Sequence, residues 1–245
     1  MKKNLWIMVT SGGTDVAIDD VRCISNFSWW TTWSIIAEVA LTAWHIVHYI
    51  HSKGSKVPFR KSLEVSENYS DIDIELERIR TNMKIYKTLE QNLHKTMTSD
   101  FYSYQEEVLS QLQRPDINVA ILGMAVSDYW PKKVDGKIRS DSDVLSIELE
   151  KLPKIISQIK TIRPDMFLVW FKLLTDDYSD EELIDIAYRS LQRDGQDMVV
   201  ANKVSPWLKI FSTYIITKDK EIIPVLRRED LAEMLMETIE SNILK

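Results

Sequence analysis

Glycine is scarce in this chain: six residues in 245, about a third of the usual frequency of roughly 7%. That excludes collagen-like and glycine-linker sequence and makes each remaining glycine informative. Cysteine is scarcer still. Cys23 stands alone, so no internal disulfide framework exists, which fits a reducing cytosol. Beside Arg22 its thiol could be reactive, but a packed apolar cysteine is the stronger reading, given how often the residue is buried. No 18 apolar residues run together, so no membrane span is expected. The apolar run after Met1-Lys-Lys breaks at Ser11-Gly-Gly, too early for a secretory signal, and the expected location is the cytoplasm. Basic residues are not in excess. A net charge of −6 argues against nucleic acid as a general partner, while local basic clusters could still hold an anionic substrate. The chain lacks G-x-G-x-x-G after its first strand, and no acidic residue ends the second at Ile50-His51, which weakens a dinucleotide oxidoreductase reading. His45, His48 and His51 have no acidic or cysteine partner at ligand spacing, so no protein metal site is expected.

What is present reads as an α/β chain. A length of 245 residues with 44% hydrophobic content suits one large domain. The run from Leu5 to Thr10 predicts a buried strand, Ser34–Ala43 a helix and Ile46–Ile50 a second strand, together a βαβ unit in a parallel sheet. Further along, Leu63–Ser66 suggests a short strand. Thr81–His94 and Tyr102–Gln113 suggest amphipathic helices, and Asn118–Val126 the strongest central strand. Leu145–Leu149 reads as a hairpin arm. Pro153–Ile162 reads as a helix with proline in its first turn, followed by a strand at Met166–Leu174. Ser179-Asp-Glu-Glu182 is a capping-box pattern opening a helix to about Arg193, with Asp176-Asp177 ahead of it complementing the dipole. Asp197–Ala201 is another strand, Lys209–Ile216 and Ile222–Leu226 a hairpin, and Arg228–Ile243 a closing helix. The expected fold is a Rossmann-like, mostly parallel sheet with helices on both faces and a C-terminal β-hairpin.

Ligands of open parallel sheets bind beyond the carboxyl ends of the strands. The segments expected there are Ser11-Gly-Gly-Thr14, Gly123-Met-Ala-Val-Ser-Asp-Tyr129, Phe171–Thr175 and Asn202, and three of them carry the small or polar residues a nucleotide needs. The glycines of the first allow a tight turn whose N–H groups could face an anion. Arg22 and Asn26, four apart, add a fork-shaped cation and a neutral donor–acceptor.

The segment from Thr10-Ser-Gly-Gly-Thr14 through Asp19-Asp-Val-Arg22-Cys-Ile-Ser-Asn26 resembles the phosphopantothenoylcysteine synthetases (phosphopantothenate–cysteine ligases), with pattern T-S/A-G-G/P-T…D-x-V-R-x-I-S-N. The family's A/G-x-A-V-x-D-Y/F-x-P and K-I-K/R are met by Gly123–Pro131 and Lys137-Ile-Arg139, and its K-N-P-D-I-L/V by Lys151-Leu-Pro-Lys-Ile-Ile156. The resemblance implies one nucleotide-binding ligase domain over 1–245 with a flap at about 130–144. It implies a reaction of 4′-phosphopantothenate with cysteine through an acyl-cytidylate, with CTP and Mg, in coenzyme A biosynthesis, by a homodimer. CTP rather than ATP follows from single-function bacterial members; the residues leave the base open. Asn26, Lys137 and Arg22 would be catalytic. Ser11, Gly12, Gly13, Gly123, Met124, Ala125, Asp128, Pro153, Lys154, Ile155, Ile156, Phe171, Arg189 and Arg193 would bind nucleotide. Leu152 and Lys154 depart from the family's N and D.

The resemblance breaks where the family has S-S-G-K-x-G and this chain has Ser28-Trp-Trp-Thr-Thr-Trp33. Eight tryptophans accompany the scarce glycines. Trp44 stands where the first helix wants a left-handed glycine cap, Trp130 in a turn before Pro131, and Trp207 in a loop after Pro206. Trp170, for the family's glycine beside Phe171, would obstruct the pocket, and Trp29, Trp30 and Trp33 would block phosphate approach. The alternative reading is therefore a nucleotide-binding or scaffold member of the fold without ligase activity.

Overall fold

The computed structural model describes residues 4–26, 28, 30–66, 68–141, 143–175, 177–204 and 211–244. The readings at Trp29, Asp176 and Trp207 lie outside the described residues.

In chain order the strands are β1 Trp6–Ser11, β2 Asp15–Ala17, β3 Cys23–Ser25, β4 Ile46–Ser52, β5 Leu93–Thr98, β6 Val119–Leu122, β7 Tyr129–Pro131, β8 Leu149–Lys151, β9 Phe167–Thr175, β10 Met198–Val204, β11 Phe211–Thr217 and β12 Ile222–Val225. The helices are α1 Trp30–Thr42, α2 Ile72–Leu89, α3 Phe101–Leu112, α4 Ile156–Ile162, α5 Asp180–Asp194 and α6 Leu231–Ile243.

Eight strands form one sheet in the order β12-β11-β10-β9-β6-β1-β4-β5. Neighbours from β10 to β5 run parallel, while β10–β11 and β11–β12 are antiparallel, giving the C-terminal hairpin. The interior strands are apolar on both faces, as helix-covered parallel strands must be. Alternation along the chain sorts them. Ile7, Val9, Val47, Tyr49, Ile121 and Val169 pack with Ile36, Ala37 and Leu41 of α1 and Leu235 and Ile239 of α6. Met8, Ile50, Ala120 and Leu168 face the other way, onto α3 and α4, and Val199, Ala201 and Ile216 onto α5. The Rossmann-like α/β architecture is as the sequence implies.

Several local expectations change. Lys61–Leu63 forms a short 3-10 turn where a strand is expected. The helix expected from Thr81 starts at Ile72, because Asp71 caps it by accepting from Asp73 N and Ile74 N; it ends at Leu89, and His94 falls in β5. That strand is the sheet edge and mostly solvent-facing, so it carries Lys95 and Thr96 rather than an apolar run. α4 begins at Ile156, leaving Pro153 outside it. Trp130 lies in β7, not a turn, with its ring edge-on to Tyr102 at 4.9 Å. Cys23 is exposed, because its strand belongs to a two-stranded β2–β3 ribbon outside the main sheet.

α5 has its capping box, with Ser179 Oγ accepting from Glu182 N and Glu182 accepting from Ser179 N. α1 ends in a Schellman motif. His45 N donates to Ala40 O, Trp44 N donates to Leu41 O, and Trp44 has φ 66°.

Candidate active site

The strand order reverses between β1 and β6: the chain leaves β1 toward β4 on one side, while β6 lies on the other. In open parallel sheets such a reversal is where ligands sit, beyond the carboxyl ends of the pair. There the Ser11-Gly-Gly-Thr14 turn and the segment after β6 are laced together. Ala125 N donates to Gly12 O at 2.8 Å, Thr14 N to Ala125 O at 3.1 Å and Ser127 N to Thr14 Oγ1 at 2.9 Å. Met124 N donates to Thr10 Oγ1 at 3.1 Å.

Both glycines of the turn are needed for this closeness. Gly12 has φ 101°, and a Cβ there would overlap the hydroxyls of Ser52 and Ser55. A Cβ on Gly13 would overlap the carbonyl oxygen of Asn26. The expectation that the turn's amides cradle an anion changes here: Gly13 N is spent on Ser52 Oγ at 3.2 Å and Thr14 N on Ala125 O. The turn works by letting backbones approach one another. The first amides of α1, which starts at Trp30, have no partner within the helix, as at any helix start.

Asn26 is held against the same rim. Its Nδ2 donates to Ala125 O at 3.3 Å and Ser127 Oγ at 3.2 Å. Arg22 and Lys137 are joined through the flap. Arg22 Nη1 donates to Asp19 Oδ2 at 2.7 Å and to Ile138 O at 3.2 Å, while Asp19 Oδ2 accepts from Ile138 N at 3.0 Å. Asp20 accepts from Gly136 N at 2.9 Å and pairs with Lys133 at 2.7 Å. Lys137, exposed, thus sits between two residues clamped to the turn that joins β2 and β3. Burial by itself would raise the Asp19 carboxyl, but N–H donors from Val21, Ile138 and Arg22 outweigh it and hold the pKa at about 2.

Around this centre Ser11, Gly12, Gly13, Gly123 and Met124 are buried, and Ala125 is half-buried. Asp128 is exposed, and its carbonyl accepts from Leu152 N, bringing Pro153 and Lys154 to the flap's base. Ile155 and Ile156 are core residues beneath it. Phe171 comes in from β9, on the α1 side of the sheet, whereas Trp170 points to the opposite face and packs with the α3–α5 clusters. Trp170 therefore does not obstruct the Phe171 side. Trp33 does. Its ring meets Phe171 edge-on at 4.3 Å and covers Gly123 so closely that a Cβ there would overlap the indole.

Arg189 and Arg193 are not brought to this place. α5 runs back from the carboxyl end of β9, and both side chains are exposed and paired, with Asp185 and Asp194. A separate surface pocket, lined by Leu112, Pro115, Ile162 and Arg163, lies at the other end of the strands, just ahead of β6 and β9.

Sequence reasoning overlooked Asp19, Asp20 and Ser127. Two acids opening the tight turn before Val21-Arg22 are a turn signal, but their flap partners lie more than a hundred positions away. The histidines are structural. His45 Nδ1 accepts from Leu5 N at 3.1 Å, so its Nε2 donates to Glu240 at 3.0 Å. His48 stacks between Trp6 and His94. Among the described residues no three His, Cys, Asp or Glu are placed to hold a metal ion.

Residues 82–243 match the family model described as the DNA/pantothenate metabolism flavoprotein C-terminal domain. The chain belongs to this family. It is 32% identical to the coenzyme A biosynthesis bifunctional protein CoaBC of Thermococcus kodakarensis, over 97% of this chain and 51% of that protein, so it spans about half that relative's length. To phosphopantothenate–cysteine ligase 2 of Oryza sativa it is 26% identical, over 95% of this chain and 78% of the other. Among solved structures, the DNA/pantothenate metabolism flavoprotein of Streptococcus pneumoniae superposes with a TM-score of 0.75 at 29% identity, covering 97% and 99% of the two chains. A Cab2 H337A mutant complexed with phosphopantothenate-cysteine superposes at 0.81 with 22% identity, covering 98% and 87%, a likeness of fold. In this family member the laced rim of β1 and β6 is the candidate position for ligand chemistry.

Proposed function

We propose that this domain is a phosphopantothenate–cysteine ligase of coenzyme A biosynthesis, using a nucleoside triphosphate, CTP by resemblance. The observation that carries the reading is the convergence at the β1–β6 switch point of the Gly12-Gly13 turn, Asn26 and the flap that presents Lys137.

In the first step a pantothenate carboxylate oxygen attacks the α-phosphorus of CTP. The bond to the bridging oxygen breaks, pyrophosphate leaves, and an acyl-cytidylate remains. The cysteine amine then attacks the acyl carbon, CMP departs, and the amine's proton passes to solvent or to the leaving phosphate. Such a sequence asks the protein to position anions and stabilise charge more than to abstract protons. The α1 amides meet phosphate oxygens, and Lys137 adds a positive charge over them. Asn26, with its amide protons directed at Ala125 O and Ser127 Oγ, offers Oδ1 to the intermediate. Arg22 secures the flap through Ile138 and faces the substrate carboxylate. The described residues hold no carboxylate set for magnesium, so the ion would enter on the triphosphate oxygens, and no step is assigned to it.

The test is CMP release with phosphopantothenate, CTP and cysteine, on wild type and Lys137→Met. Turnover that needs all three substrates and falls at least about 10²-fold in the variant supports the reading. Absence of turnover refutes it in favour of the second reading, a nucleotide-binding or scaffold member of the fold without ligase activity; the Trp33 ring over Gly123 and against Phe171 favours that loss of activity. We also infer a cytoplasmic homodimer. For the homodimer, support comes from the outer edge of β5, unpaired among the described residues, and from the exposed Ile74, Leu76, Met83 and Ile85 of α2; the mass of the particle in solution is checked by light scattering.

A further inference from the structure

We propose that Ser52 and Ser55 are positioning residues for the ligase reaction: their hydroxyls fix the Gly12-Gly13 turn and, through it, Asn26. The part given to Asn26 rests on the ligase reading, while the relay rests on hydrogen bonds and packing.

The two serines close a tight turn at the carboxyl end of β4. Ser55 N donates to Ser52 O at 3.1 Å, and Gly54 between them has φ 86°. Both serines are buried against the first loop. Gly13 N donates to Ser52 Oγ at 3.2 Å, the two hydroxyl oxygens lie 2.9 Å apart, and Ser55 Oγ donates to Ser11 O at 3.4 Å. The last bond uses the Ser55 hydrogen, so Ser52 is the donor between the hydroxyls. One directed chain therefore runs from Gly13 N through both serines to Ser11 O and encircles Gly12. The room for it is the side chain that Gly12 lacks, since a Cβ there would overlap both oxygens. Bonds in such a chain polarise one another, so loss of either hydroxyl weakens the whole.

The turn hands this geometry on to the site. Gly12 O accepts from Ala125 N at 2.8 Å, and Gly13 faces the carbonyl of Asn26, too close for any side chain. Asn26 Nδ2 in turn donates to Ala125 O at 3.3 Å. A shift of the turn therefore moves Asn26 from two sides, through its own carbonyl and through Ala125. The serines act through backbone, at one remove from the reacting atoms.

The experiment uses the full chain as wild type, Ser52→Ala, Ser55→Ala and Asn26→Ala, with Ser190→Ala, a buried serine of α5, as control. Amide exchange at Gly13 and the side-chain amide signal of Asn26 are followed by NMR on isotope-labelled protein. CMP release is measured with phosphopantothenate, CTP and cysteine. Expected in both relay variants are Gly13 exchange at least about tenfold faster and a displaced Asn26 signal, with neither change in the control. Their kcat should fall at least about tenfold, and adding either substitution to Asn26→Ala should cost less than about twofold more. Unchanged Gly13 exchange and Asn26 signal in the folded variants overturn the proposal, as do losses that multiply in full with that of Asn26→Ala. Wild type without turnover removes the ligase reading alone, and the relay is then decided by the exchange rate and the Asn26 signal. If Ser52→Ala fails to fold, Ser55→Ala, which keeps the Gly13 acceptor, decides by the same outcomes.

Discussion

Trp44 offers a measurement of backbone strain nearly free of side-chain packing. It is the C′ residue of the α1 Schellman motif, with φ 66° and its ring about half exposed, outside all three hydrophobic clusters. An L-residue held left-handed costs roughly 1–2 kcal/mol, because Cβ crowds the following carbonyl. Glycine removes that cost but frees the unfolded chain, which returns about 0.4–1 kcal/mol. Comparing Trp44→Gly with Trp44→Ala cancels the loss of the indole, since both variants lack it. Glycine should therefore exceed alanine in stability by about 0.5–1 kcal/mol. For a chain of this size that is about 1–4 °C in melting temperature. Urea unfolding with matched m-values, backed by calorimetry, is the assay. Alanine equal to or better than glycine would refute the left-handed cap, and Trp44→Asn should fall between the two.

Three further outcomes follow from the site and the core. Asp19→Asn removes the carboxylate that ties Ile138 N and Arg22 to the first loop, so trypsin should cut the flap at Lys132, Lys133, Lys137 or Arg139 faster than in wild type. Because the Asp19 pKa is lowered from 3.8 to about 2, the clasp is at full strength above about pH 4 and is lost as pH falls through 2; a flap no more labile in the variant sinks the clasp. Burial, with Arg114 next in importance, lowers His48 from 6.5 to about 4. The unfolded chain then takes up a proton that the folded chain refuses, so stability declines as pH drops from 6.5 toward 4. His48→Leu should flatten that part of the urea-midpoint profile, and an unchanged slope would assign it elsewhere. Glycine and tryptophan codons GGG and UGG differ by one base, and position 44 holds the left-handed backbone that favours glycine. Peptide mass spectrometry of the protein from its own cells is expected to find glycine there, and tryptophan would end that reading.

The parallel sheet was legible because its strands carry continuous apolar runs bounded by turn residues, as Leu5–Thr10 and Asp197–Ala201 do. Capping chemistry placed the start of α5, and the demand for a left-handed residue marked Trp44 from the sequence alone. β5 escaped because an edge strand with one wet face carries little apolar signal and follows a helix directly. At the site, the strand-end convergence could be read from small residues after β1 and β6. The clasp could not, since Asp19 and Ile138 are joined by tertiary folding over a distance that no local pattern encodes. Cys23 shows the limit of composition: a residue type usually buried is exposed because its strand lies in a ribbon outside the sheet.

The tryptophans separate into two kinds once packing is known. Trp170 and Trp130 have ordinary reasons to be large, the first bridging two clusters on the α3–α5 face and the second packing on Tyr102 where the flap begins. Trp44 has none that glycine would not serve as well, while Trp33 is packed against Phe171 and the Gly123 backbone with its Nε1 donating to Ser28 Oγ. Trp44 sits in a backbone conformation that disfavours any Cβ; Trp33 fills the space over the Gly123 backbone. The two positions share an element, α1, but impose their demands through different physics, local strain at its end and steric exclusion near its start. The question of activity therefore narrows to position 33, the indole of this pair that stands at the ends of β6 and β9, where the proposed ligase would hold its nucleotide.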